Sequence, residues 1–265
     1  MLDIFQYTFM QRAFAAGTIL AIIAPLIGIF IVVRRFSALA DTLSHVSLIG
    51  VALALLTGLN PVNLALVTCM IGGVGIEKLR SSKKIYGESV LVLFISGSLG
   101  ISSIILSLSN GSSTSLVSYL FGSINTVTPE NIITTILIGL IIVVGVFLLY
   151  PALFLTSLDE ELAIAKGLKV GLYNMGLILL ASLTVSIGIQ VVGILLIGAL
   201  MTIPVTTALQ YKLSFKSTML LSTVFSLASV WIGLYISYYL NLASGGTIVV
   251  VNLIFFVLSL FLSKL

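Results

Sequence analysis

Asp41 and His45, the latter the only histidine in the chain, lie four residues apart in the run Asp41-Thr42-Leu43-Ser44-His45, inside a segment that otherwise reads as membrane-spanning. A helix turns about 100° per residue, so positions i and i+4 stack one turn apart on the same stripe and the carboxylate and imidazole converge. Both groups are good ligands for zinc, manganese or iron. Ionisable residues are costly inside a bilayer, and two on one helical face point to a functional site. The residues alone leave other roles open: Asp41 can cap the helix or pair with Arg34 or Arg35, and His45 can hydrogen-bond across a helix interface.

The elements that must position this pair are set by composition. Hydrophobic residues fill 59% of the 265 positions and charged residues 8%, with a mean hydropathy of +1.29, whereas soluble domains are about a quarter charged. The chain therefore reads as an all-α, polytopic membrane protein. Apolar runs suited to crossing about 30 Å of hydrocarbon fall at 13–33, 38–59, 61–76, 89–108, 132–150, 173–190, 192–210, 217–240 and 247–263. The third, sixth and seventh are short enough to be tilted, broken or re-entrant, so the count is eight to nine.

Cytoplasmic loops accumulate Lys and Arg. With the N-terminus outside and the C-terminus cytoplasmic, nine spans put Arg34, Arg35, Lys78, Arg80, Lys83, Lys84, Lys166, Lys169, Lys212, Lys216 and Lys264 on the cytoplasmic side, and Arg12 alone outside. The opposite face carries the serine-rich, nearly uncharged loop from Leu108 to Asn131, the turn at Gly188 to Gln190 and the turn at Asn241 to Gly246. The net charge of +4 thus reflects orientation in a lipid membrane, with no nucleic-acid partner implied. The first apolar run is longer than a signal-peptide core and its basic residues follow it, so it is expected to stay in the mature chain. Cys69, the single cysteine, reads as a small buried hydrophobe. The Gly72-Gly73-Val74-Gly75 segment reads as close helix packing with a flexible end, and Ile203-Pro204 as a kink.

Between the fifth and sixth spans, Thr156 to Gly167 carries short-helix signals. Ser157 with Glu160 makes a capping box, Asp159, Glu160 and Glu161 occupy the positive first turn, Lys166 sits at the negative end, and Gly167 supplies a left-handed stop. Two to three turns are too short to be stable alone, so the helix must dock. Leu158, Leu162 and Ala165 offer a narrow apolar stripe suited to a shallow groove on a partner or to lying on the lipid surface.

Glu161-Leu162-Ala163 followed after three residues by Gly167 resembles the Glu-Ala-Ala-x-x-x-Gly loop by which ABC importer permeases contact their ATPase subunits. Val33-Arg34-Arg35-Phe36 leading into Ala40 to His45 resembles the second-helix signature of permeases of the manganese, zinc and iron importer family, and the blocks Val192 to Pro204 and Ser244 to Val249 agree with it. Two departures are modest: Leu162 replaces the first alanine of the loop pattern, and Gly246 stands where alanine is expected.

The resemblance implies one transmembrane permease domain over residues 1–265 in the cytoplasmic membrane of a prokaryote. Asp41 and His45 would line the path of the ion. Residues 157–167, with Ser157, Asp159, Glu160, Glu161, Leu162, Ala163 and Gly167, would couple to cytoplasmic ABC ATPase subunits. An extracytoplasmic metal-binding protein would deliver manganese, zinc or iron, the cargo rather than a permanently bound cofactor. Counting 1.5 Å per residue from Arg35 at the interface puts Asp41 about 9 Å and His45 about 15 Å deep. A first shell needs roughly four to six donors, so two copies of the chain facing across a two-fold axis are expected to complete it. Protonation of His45 would weaken binding at acid pH, since a protonated imidazole cannot ligate. No Gly-x-x-x-x-Gly-Lys-Ser/Thr run occurs, so the chain reads as a transport subunit without its own ATP site rather than an enzyme. The alternatives are a proton-coupled secondary transporter and a structural or assembly membrane protein.

Overall fold

The computed structural model describes residues 6–82, 84–109, 119–122, 129–189 and 192–262. Lys83, Lys264, Gln190 and most of the serine-rich loop lie outside the described residues. Within them the order is α1 (Thr8–Val33), α2 (Ala38–Thr57), α3 (Pro61–Ser81), α4 (Gly87–Leu108), α5 (Pro129–Leu158), α6 (Glu160–Ala165), α7 (Val170–Gly188), α8 (Ile197–Leu209), α9 (Phe215–Leu240) and α10 (Ser244–Leu262).

Eight of these helices are long and apolar enough to cross a membrane, and α8 is a shorter apolar helix. At 1.5 Å per residue its 13 residues cover about 20 Å, short of the roughly 30 Å of a hydrocarbon core. The expected seventh span, 192–210, is therefore only partly helical. Its first residues, Val192 to Ile194, are buried yet irregular. Protein acceptors take the amides here: Val192 N donates to the Gly188 carbonyl at 3.1 Å, Ile194 N to that of Tyr119 at 2.9 Å and, just beyond, Leu195 N to that of Leu120 at 3.2 Å. Irregular backbone at membrane depth survives where protein satisfies it in this way.

Other boundaries move outward. α1 begins at Thr8 and so includes Arg12, α3 runs on to Ser81, and α5 continues through Pro151 to Leu158. A proline inside a helix removes one backbone hydrogen bond. Here the following turn is held by aromatic packing, with Phe154 edge-on to Phe215 at 4.9 Å and Phe215 against Phe30 at 5.3 Å. The glycine-rich stretch at 72–75 lies in the middle of α3 rather than at a flexible end, and Pro204 lies inside α8.

α1 is apolar around its circumference, the pattern of a helix enclosed by others. It packs on α5, α7, α8 and α9, while α2 packs on α3, α4, α7 and α8. α4, α5, α9 and α10 form the periphery and turn residues such as Ile104, Phe147, Leu148, Val224 and Ile254 outward, as a hydrocarbon solvent requires. Close approach needs small residues at the crossings. A Cβ on Gly50 of α2 would lie 2.4 Å from the Leu64 carbonyl oxygen of α3.

The described basic turns share one end of the bundle. Arg34 bonds Ser157 and Asn174, Arg80 lies 5.1 Å over the Phe36 ring, and Lys216 lies 5.7 Å from the Tyr150 ring centroid. Cys69 is buried and its thiol donates to the Leu43 carbonyl at 3.5 Å.

Candidate functional site

α2 starts after a tight turn in which Arg35 takes a left-handed φ of 56° and the Phe36 amide donates back to the Ile31 carbonyl at 3.0 Å. Ser37 is the N-cap residue, so Asp41 does not cap the helix but sits in its first turn, where the positive end of the helix favours a carboxylate. From Leu39 to Ala52 every residue is buried except Asp41, His45 and Ile49. Those three are spaced four apart and form one stripe. α2 is thus enclosed on all sides but one, and both ionisable groups lie on the open side.

The Asp41 side chain is 52% exposed and that of His45 13%, with Asp41 Oδ1 3.9 Å from His45 Nε2. That separation is beyond a hydrogen bond, so neither group is tied up by the other. His45 Nδ1 is buried without a hydrogen-bond partner, and orphaned buried polar atoms of this kind call for an explanation. The proposed pairing of Asp41 with Arg34 is not made: Arg34 donates instead to Ser157, Thr156 and Asn174. Among the described residues no group of three or more His, Cys, Asp and Glu side chains gathers to hold a metal ion. One chain therefore offers two convergent donors on an open stripe.

α8 abuts this site. A Cβ on Gly198 would lie 3.3 Å from the Asp41 nitrogen and 3.4 Å from its Cα. Between Ile197 and Ala208 the positions of α8 that are not buried are Ala199, Thr202, Ile203 and Thr206. Thr202 Oγ1 donates to the Gly198 carbonyl at 2.9 Å and Thr206 Oγ1 to that of Ile203 at 2.8 Å, which leaves hydroxyl lone pairs outward. Sequence reading passed over this threonine pair, whose i,i+4 spacing was the available signal.

At the basic end, α6 is a single short helix. Asp159, not Ser157, is its N-cap: the carboxylate accepts from the Leu162 amide at 2.9 Å. Ser157 belongs to the last turn of α5, where its hydroxyl donates to the Leu153 carbonyl at 2.6 Å. The capping box of Ser157 and Glu160 is overturned because α5 persists two turns past Pro151 and absorbs the serine. Gly167 takes a φ of 79°, and the Leu168 amide donates to the Ala163 carbonyl at 3.0 Å, closing the C-terminus in a Schellman arrangement. Ala163 is buried against the bundle, while Glu160 and Glu161 are exposed. Leu158, Leu162 and Ile164 are 57%, 45% and 60% exposed. An apolar face with acids beside it thus projects from the basic end.

Residues 6–263 match the model of the ABC 3 transport family. The chain is 33% identical to the manganese import system permease protein ScaB of Streptococcus parasanguinis, over 97% of this chain and 92% of that protein. It is 32% identical to the high-affinity zinc uptake system membrane protein ZnuB of Buchnera aphidicola, over 92% of this chain and 94% of that protein. Among solved structures it superposes on PsaBC from Streptococcus pneumoniae, solved in complex with a Fab, with a TM-score of 0.86 and 32% identity, covering 97% of this chain and 92% of that one.

Proposed function

The chain belongs to the ABC 3 transport family, and on that premise we propose that it is the permease subunit of an ABC importer for a divalent transition metal, manganese or zinc foremost. The observation that carries this reading is the stripe on α2. Between Leu39 and Ala52 a helix enclosed on every other side presents only Asp41, His45 and Ile49, and a half-exposed carboxylate at membrane depth is too costly to face lipid. The stripe faces a water-filled path or a second copy of the chain. Two copies across a two-fold axis supply two carboxylates and two imidazoles, enough for a tetrahedral or expanded first shell.

Asp41 and His45 hold the ion in transit, and Thr202 and Thr206 line the adjoining wall with weaker oxygen donors. The basic end is cytoplasmic by the positive-inside rule, which places the N-terminus outside. α6, with Asp159, Glu160, Glu161, Leu162, Ala163 and Gly167, docks the ATPase subunit, and its exposed leucines and acids are the contact chemistry. Ser157 supports α6 from the end of α5. A metal-binding protein delivers cargo at the opposite face.

The test is total cell manganese, zinc and iron by mass spectrometry in a transport-deficient host expressing the whole importer. Wild type raises one of the metals, and Asp41→Ala and His45→Ala abolish the rise at matched expression. Normal accumulation in both variants would sink the assignment, and uptake persisting without the ATPase would favour a proton-coupled carrier.

A further inference from the structure

Arg34 makes more long-range polar contacts than any other charged side chain among the described residues. Its Nε donates to Ser157 Oγ at 3.0 Å, one terminal nitrogen donates to Thr156 Oγ1, and the other donates to Asn174 Oδ1. The partners are 122 to 140 residues away in sequence. Each acceptor is itself locked. Ser157 spends its proton on the Leu153 carbonyl and Thr156 directs its proton to the Ala152 and Leu153 carbonyls, so both hydroxyls meet Arg34 with lone pairs. Asn174 accepts from Arg34 through its oxygen, which turns its Nδ2 toward Glu160 Oε1 of α6 at 3.4 Å.

The two ends of this chain of bonds are the two working parts. Thr156 and Ser157 are the residues from which α6 hangs, and Glu160 is in α6 itself. Arg34 is the C-cap of α1 and opens the turn into α2, seven residues before Asp41. The far side of that turn is clamped to α3, where Arg80 covers the Phe36 ring and pairs with Glu77 through bonds of 2.9 and 3.2 Å. A cavity of about 60 Å³ beside the guanidinium, bordered by Phe36, Leu39, Arg80 and Asn174, leaves the turn room to shift. Burial, and then the neighbouring Arg80, push the Arg34 pKa down to about 10, with Glu160 and Glu77 opposing. Arg34 therefore remains charged at neutral pH, and the bonds are of the stronger, charge-assisted kind.

We propose that Arg34, acting through Asn174, Thr156 and Ser157, is the positioning residue that transmits movement of the ATPase-docking helix α6 to the start of the metal-holding helix α2. The assignment rests on the transport reading above. A planar fork with three fixed acceptors transmits both direction and distance, which a lysine point charge cannot. Loss of any one acceptor leaves the bundle tied by the others but lets α6 move without α2.

The test uses the complete importer, permease with its ATPase and binding protein, in liposomes supplied with radioactive Mn²⁺, and reads ATP hydrolysis and Mn²⁺ uptake in the same vesicles. Asn174→Ala and Arg34→Lys are expected to retain the ATPase subunit and hydrolyse ATP near the wild-type rate, while Mn²⁺ carried per ATP falls about tenfold, within the usual range of allosteric coupling. The double variant should be no worse than Arg34→Lys alone. An unchanged ratio of Mn²⁺ to ATP, or a parallel fall of both rates in Asn174→Ala, overturns the proposal and makes Arg34 a structural staple. Asp41→Ala in the same assay separates the two readings. If it transports normally the metal path is wrong, whereas if it abolishes uptake while Asn174→Ala stays coupled, only the role of Arg34 fails.

Discussion

α2 and α6 both carry acidic side chains, yet they owe their positions to opposite causes. α2 is enclosed by α3, α4, α7 and α8, and that enclosure decides which stripe stays open and where Asp41 and His45 face. α6 has six residues, one buried side chain and exposed acids, and it is held by its own caps, Asp159 at the start and Gly167 at the end. A helix so short is not stable from propensity alone. The region proposed to handle the ion is thus preset by tertiary packing and admits little change, while the region proposed to meet the ATPase is built from local chemistry and a surface left for a partner.

The sharpest way to break that contrast is to add one methyl group to the closed side of α2. A Cβ on Gly50 lies 2.4 Å from the Leu64 carbonyl oxygen and 2.5 Å from Ala65 Cα, so Gly50→Ala forces the α3 backbone to move. Overpacking of this kind costs about 1–3 kcal/mol. The expected result is a lower Tm in detergent and a reduced yield of folded permease. An unchanged Tm would show that α2 is not pressed between its neighbours.

A smaller effect is expected at α6. Asp159→Ala removes the N-cap at a cost of about 1 kcal/mol, roughly a fivefold change in the population of the formed helix. ATPase co-purification should fall by that order with the Tm of the permease unchanged, and Asp159→Asn should restore it. Ser157→Ala leaves this cap intact. If Ser157→Ala loosened the ATPase subunit as much as Asp159→Ala, the support from Arg34 rather than the cap would govern the helix.

What the sequence made legible follows the same division. The spans came from hydropathy, because a bilayer imposes length and apolarity on each helix independently of its neighbours. Gly167 was readable as a stop because the left-handed conformation is a local demand. The cap was misplaced because Ser157 and Asp159 are both good capping residues, and the choice between them depended on how far α5 ran past Pro151, which the packing of Phe154 on Phe215, itself seated against Phe30, decided. The seventh run was readable as short enough to be broken or re-entrant, but the place of the break was not: Ile194 and Leu195 are ordinary helix residues, and their amides go to the carbonyls of Tyr119 and Leu120. Asp41 and His45 stood out because their types are rare in a membrane helix. That theirs is the one open stripe of α2 between Leu39 and Ala52 required knowing what covers the rest.

The finest test bears on the contact between the two helices that border the site. Gly198 of α8 would place a Cβ 3.3 Å from the Asp41 nitrogen and 3.4 Å from its Cα, tight enough to displace Asp41 by a few tenths of an ångström and loose enough to be accommodated. A donor set shared across a two-fold axis doubles any such displacement, because both copies move. Misplacement of about 1 Å can cost a factor of about one hundred where geometry controls the reaction, so a shift of a few tenths is expected to lower metal uptake by about two- to fivefold. In Gly198→Ala the Tm and ATPase association should stay at wild-type values while uptake per folded permease falls. If the Tm falls and uptake per folded permease does not, α8 acts only as packing, and Asp41 takes its place from α3, α4 and α7 alone.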